Sequence, residues 1–126
     1  MKLTELPHFR WMPRMRTTNG RTVLRYAGPD PDGLILLLTD DEGEADWTKP
    51  ELSEPDTEDP ATQGCLLALV IKAWGVGSIV GEMTDYSESY GDEGGRFEIR
   101  RGPVPLFRAS GGTRVERLIR ALEAAP

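Results

Sequence analysis

Cys65 and His8, the one cysteine and the one histidine of the chain, are its sole means of building a thiol–imidazole nucleophile. A thiol attacks as its thiolate, and a place near a helix N-terminus helps to lower its pKa. Cys65 does fall in the first turns of an expected helix. It also lies inside a strongly apolar run, where a small side chain serves close packing. Packing is the expected role.

Other groupings place oxygen or charge close together. In GPDPDGLILLLT, Asp30, Asp32, Gly33 and Ile35 fall at the relative positions of a calcium loop. Gly28 and Thr39, however, stand where the first ligand and the bidentate acid are needed, so a proline-glycine turn accounts for the letters better. Asp40, Asp41, Glu42, Glu44 and Asp46 form an acid cluster without a histidine, a cysteine or a rigid element to fix ligands. It reads as solvated, and with Trp47 it forms the candidate protein-binding strip. GVGSIVG follows a helix, whereas phosphate-cradling loops follow a strand and open a helix. The chain has no P-loop, no G-x-S-x-G and no C-x-x-C. Neither a cofactor nor a metal is expected, and catalysis has no motif to support it.

Arginine and aromatic side chains interleave near the start. Arg10, Trp11, Arg14, Arg16, Arg21 and Arg25, with Phe9 and Tyr26, are the candidate nucleic-acid-binding set, because guanidinium and aromatic groups together suit phosphate contact and base stacking. The plain alternative is pairing with the chain's own acids. An overall pI near 4.8 argues against a dedicated nucleic-acid binder.

Charge is segregated along the chain. Residues 1–26 carry six basic side chains and one acid, and residues 40–59 carry ten acids and one Lys. Residues 82–93 add five acids, while residues 96–126 carry seven arginines and three acids. The ends are basic and the middle is acidic, which suits charge-complementary binding.

These groups need elements to hold them. The dominant one is DPATQGCLLALVIKAWG, with Asp59 as N-cap, Pro60 at the first helical position and Gly75 beyond the end. Its apolar residues wrap nearly all the way round, leaving Thr62, Gln63 and Lys72 as the expected solvent contacts, so it must sit inside a fold or against a partner. Before it, residues 9–18 alternate as an edge strand or irregular extended arm, since Pro13 cannot donate to a ladder. Asn19-Gly20 suggests a type I′ hairpin into a strand at 21–27. Residues 34–39 form a short apolar strand compatible with cover on both faces, and 40–58 an acidic loop.

After the helix, strands are expected at 76–83, 96–101 and 104–108, with a flexible connection at 87–95. A last helix is expected near 114–124, capped by Thr113 with Glu116 at capping-box spacing and presenting Val115, Leu118, Ile119 and Leu122. The order gives an α+β class: a small antiparallel sheet packed on a central apolar helix at about 60–74 and a C-terminal helix. At 126 residues, a single domain is expected. The opening lacks an apolar h-region, the longest apolar run is short of a membrane span, and one cysteine suits a reducing compartment. A cytoplasmic location follows.

Three stretches, LPHFRWMPRM, DPATQGCLLALVIKAWG and TRVERLIRALEAAP, resemble a group of small uncharacterised proteins carried by bacteriophages and prophages. In that group an aromatic-arginine-proline opening precedes a DPAT-GCLLALV-x-x-AWG helix, and an ALEAA-type helix closes the chain. The resemblance covers roughly a third of the residues. It departs at Arg14, where the group's pattern has glycine, and in the acid-rich segment 40–59. It implies a phage origin and host-cytoplasm location, with no assigned activity and no site residues.

The expectation is therefore a phage-encoded accessory protein that binds a host or phage protein, its acidic segment acting as an anion mimic, as in DNA-mimicking inhibitors. A virion or assembly component, with homo-oligomerisation, is the structural alternative. Direct nucleic-acid binding through the arginine hairpin is a further one.

Overall fold

The computed structural model describes residues 3–27, 34–38, 45–49, 53–77, 84–89 and 95–126. The elements are β1 (Thr22–Ala27), β2 (Leu34–Leu38), β3 (Ala45–Thr48), α1 (Pro60–Trp74), β4 (Thr84–Ser89), β5 (Arg96–Arg101), β6 (Val104–Ser110) and α2 (Arg114–Ala124). Among the described residues, two α-helices, a short 3-10 turn at Leu3–Glu5 and two three-stranded antiparallel sheets make an α+β fold. The chain groups into two compact units: Met1–Glu5 with Phe9–Cys65, and Leu6–His8 with Leu66–Pro126.

In the first unit, β2 lies between β1 and β3. The arm at 9–18 takes the irregular form. Its turn at 12–15 closes with Met15 N donating to Met12 O at 3.2 Å, Pro13 at the second position and Arg14 at the third with φ of 82°. Those are the requirements of a type II turn, whose third position favours glycine. The arm still alternates in burial, with Phe9, Trp11, Met15 and Thr17 inside and Arg10, Arg14 and Arg16 outside.

The chain reverses at Asn19-Gly20, though not through a type I′ turn. Gly20 has φ of 84° and Asn19 is not left-handed. Gly20 N donates to Thr17 O at 3.0 Å and Thr17 N to Arg21 O at 2.7 Å, the pattern of a three-residue loop ending in a glycine bulge. The acidic segment is not loop throughout. Residues 45–48 pair with β2, and Pro55 bridges Thr17. Residues 28–33, 39–44 and 50–52 lie outside the described residues, among them Gly28, Asp30, Asp32, Gly33 and Thr39 of the calcium-loop letters; Ile35 lies in β2.

α1 matches its expected bounds. Thr62 N donates to Asp59 Oδ2 at 3.0 Å, and Gly75 closes the end with φ of 70°. Its buried positions, Thr62, Leu66, Leu69 and Val70, recur at helical spacing, while Ala61, Gly64, Ala68 and Lys72 form the exposed stripe. The expectation for Thr62 is therefore corrected: it is 0% exposed. The helix looks apolar all round because its wet side is built from alanine and glycine, which lose little there.

In the second unit, β4, β5 and β6 form the other sheet and α2 packs on β5 and β6. Val76 and Gly77 belong to a turn rather than the strand expected at 76–83, whose remaining residues are not described. A strand spans 84–89, so residues 87–89 of the connection expected at 87–95 belong to a ladder, with Tyr86 stacked on Phe97 at a centroid distance of 5.9 Å. Trp74 Nε1 donates to Ala121 O at 2.8 Å and the ring lies 5.9 Å from that of Phe107, tying the end of α1 to α2 and β6. α2 is capped as expected, Glu116 N donating to Thr113 Oγ1 at 3.1 Å. Its buried stripe is Arg117, Leu118, Ala121 and Leu122, one position off the expected one, because Arg117 turns inward to the Gly111 and Gly112 carbonyls at 3.2 and 2.8 Å.

Candidate functional site

The thiol has the wrong surroundings for a nucleophile. Burial pushes the Cys65 pKa above the ordinary thiol value, with the Arg14 charge opposing and Asp59 adding to the rise. Its Sγ donates to Pro13 O at 3.6 Å, and no base hydrogen-bonds it among the described residues. Among those residues no group of three His, Cys, Asp or Glu side chains could hold a metal ion. No described helix is long and apolar enough to cross a membrane.

The arginine-aromatic set is divided by the fold. Arg10, Arg14, Arg16 and Arg25 are exposed and Arg21 is half-buried. Trp11 is only 5% exposed and meets Phe9 edge-to-face at 5.6 Å, so neither ring is offered to a base. Arg16 contributes its backbone N–H to Thr62 Oγ1 at 2.9 Å. Phosphate contact remains open to these arginines, but Phe9 and Trp11 are turned inward, and of the expected stacking rings Tyr26 alone is half-buried.

One pair is brought together that the sequence does not announce. Leu36 of β2 is opposite Arg25 of β1 and opposite Trp47 of β3. Directly opposite residues share a sheet face, and neighbouring strands lie about 4.8 Å apart, so Arg25 and Trp47 stand about 10 Å apart on one face. Trp47 is 47% exposed, and Leu24, at the irregularity between Val23 and Arg25, is 42% exposed. No family model, curated protein or solved structure matches this chain. The surface chemistry must carry the functional reading.

β3 is an edge among the described strands. It continues directly from the acid run: Asp46 pairs with Leu37 in the ladder, and Asp40, Asp41, Glu42 and Glu44 precede it outside the described residues. An exposed tryptophan and an exposed arginine on one face are residue types enriched in binding hot spots. Leu24 was not foreseen. Its only sequence signal is that it breaks the alternation between Val23 and Tyr26.

Proposed function

We propose that this chain is a phage-encoded accessory protein that acts by binding another protein, with a host factor of cationic surface as its target. Trp47 carries the reading: a large aromatic ring, half in water, on a strand that leads straight out of the acid run. Anchoring a ring in a pocket while charged neighbours form a rim is the common anatomy of a specific interface. The acid run supplies charge complementary to a nucleic-acid-binding surface, and steers association. The resemblance of the central helix and both chain ends to phage proteins supports the origin.

Affinity capture from host lysate tests this function. The expected result is a co-purified protein that is lost both with Trp47→Ala and with charge reversal at Asp40, Asp41, Glu42 and Glu44. A chain that captures nothing, or captures the same protein after both changes, would remove the reading.

A further inference from the structure

The outward face of the second sheet holds a different arrangement, independent of the proposed partner. Glu98 sits in the middle strand with Ser87 opposite it on β4 and Arg108 opposite it on β6. Arg96 and Arg100 flank it two residues away along β5. Although this face is turned from α2, Glu98 is only 7% exposed.

Two of the guanidiniums are fixed by that carboxylate. Arg100 Nε donates to Glu98 Oε1, and Arg108 Nε pairs with Glu98 Oε2 at 3.5 Å. Gripping a guanidinium by Nε leaves its terminal amino groups unspent. Arg96 makes no ion pair among the described residues. A polar cleft of about 300 Å³ opens here, lined by Ser87, Ser89, Arg96, Arg100 and Arg108 beside Glu88 and Glu98. The Glu88 carboxylate is held by Arg114, at 3.2 and 3.3 Å, so its charge is matched. Asp85, opposite Arg100, is the other acid of this face, and its Oδ1 accepts from Tyr86 N.

We propose that this cleft binds a small molecule through a phosphate monoester. Three guanidiniums against the Glu98 and Asp85 carboxylates leave a cationic excess on this face, and two serine hydroxyls stand at the β4 side of the cleft. A phosphate monoester offers three strong acceptor oxygens and close to two negative charges, which match forked donors arriving from several sides. The volume is at the lower end for small-molecule sites and suits a mononucleotide or a smaller ester.

Amide spectra of the ¹⁵N-labelled full chain at low salt test the proposal, with inorganic phosphate, adenosine 5′-monophosphate and adenosine as probes. Saturable shifts at Ser87, Ser89 and Arg96 are expected with the two phosphate-bearing probes and not with adenosine. Tighter binding of the monophosphate than of phosphate assigns an organic ester as the natural ligand; equal binding assigns free phosphate. Arg96→Gln leaves both Glu98 pairs intact, so the fold is kept, and should weaken binding about tenfold; Arg108→Gln should do the same. Absence of shifts with both phosphate-bearing probes, an equal response to adenosine, or unchanged affinity in Arg96→Gln would overturn the proposal.

Discussion

The Thr62 hydroxyl donates to Asp59 Oδ2 at 3.1 Å and accepts from Arg16 N at 2.9 Å, so the cap of α1 also holds the N-terminal arm. Asp59 Oδ2 accepts from Thr62 N as well, at 3.0 Å. A buried hydroxyl with both capacities used is costly to remove, because its partners lose theirs. Thr62→Val should lower unfolding free energy by about 1–3 kcal/mol. Asp59→Ala, which loses the cap, should cost about 1 kcal/mol. Urea denaturation of the two variants checks both; a neutral Thr62→Val would mean that the arm is held by other contacts.

Arg14 sits at the third position of its turn, which favours glycine, with φ of 82°, and is the one non-glycine with positive φ among the described residues. The left-handed conformation costs an L-residue about 1–2 kcal/mol, and glycine gives back about 0.5–1 through the unfolded chain. Arg14→Gly should therefore stabilise by about 0.5–1 kcal/mol, read as a higher denaturation midpoint. Arg14→Ala, which keeps the Cβ, should gain nothing.

Cys65 should behave as a sluggish thiol. Burial raises its folded pKa, so the stability linked to its protonation is fully present below the unfolded thiol's pKa and is lost as pH rises through the folded value. Alkylation by iodoacetamide near neutral pH should be slower in the native chain than in urea. Arg14→Gly removes the charge that opposes the rise, so it should slow alkylation further. A native thiol that reacts faster than the unfolded one would restore the nucleophile reading.

Among the described glycines, Gly95 makes the tightest approach to backbone. A Cβ there would lie 2.6 Å from Ser89 O and would also strike the Arg117 guanidinium, which is buried against the Gly111 and Gly112 carbonyls. Gly95→Ala should cost about 1–3 kcal/mol through forced displacement of backbone. Thermal melting checks this, with Gly64→Ala as the contrast, since a Cβ there meets nothing within 4 Å.

Helix bounds were legible wherever a chemical stop and start were written into the chain. Asp59, Pro60 and Gly75 delimit α1, and Thr113 opens α2. Strands with apolar alternation, such as β5, were equally clear. β4 and β3 were not, because TDYSES and ADWT offer one aromatic residue each and take their strand form from the ladders beside them. Burial on α1 was misread for a related reason: composition cannot say which alanines are wet. The placement of Arg25 and Trp47 on one face, either side of Leu36, is a matter of register, which local sequence does not encode.

Placing a photo-crosslinking side chain at position 47, with one at exposed Glu123 as control, tests the binding claim inside the host cell. The reading requires an adduct with a different polypeptide from position 47 alone, reduced by Arg25→Glu. No adduct at 47, the same adduct from 123, or an adduct of twice the chain's own mass would contradict it.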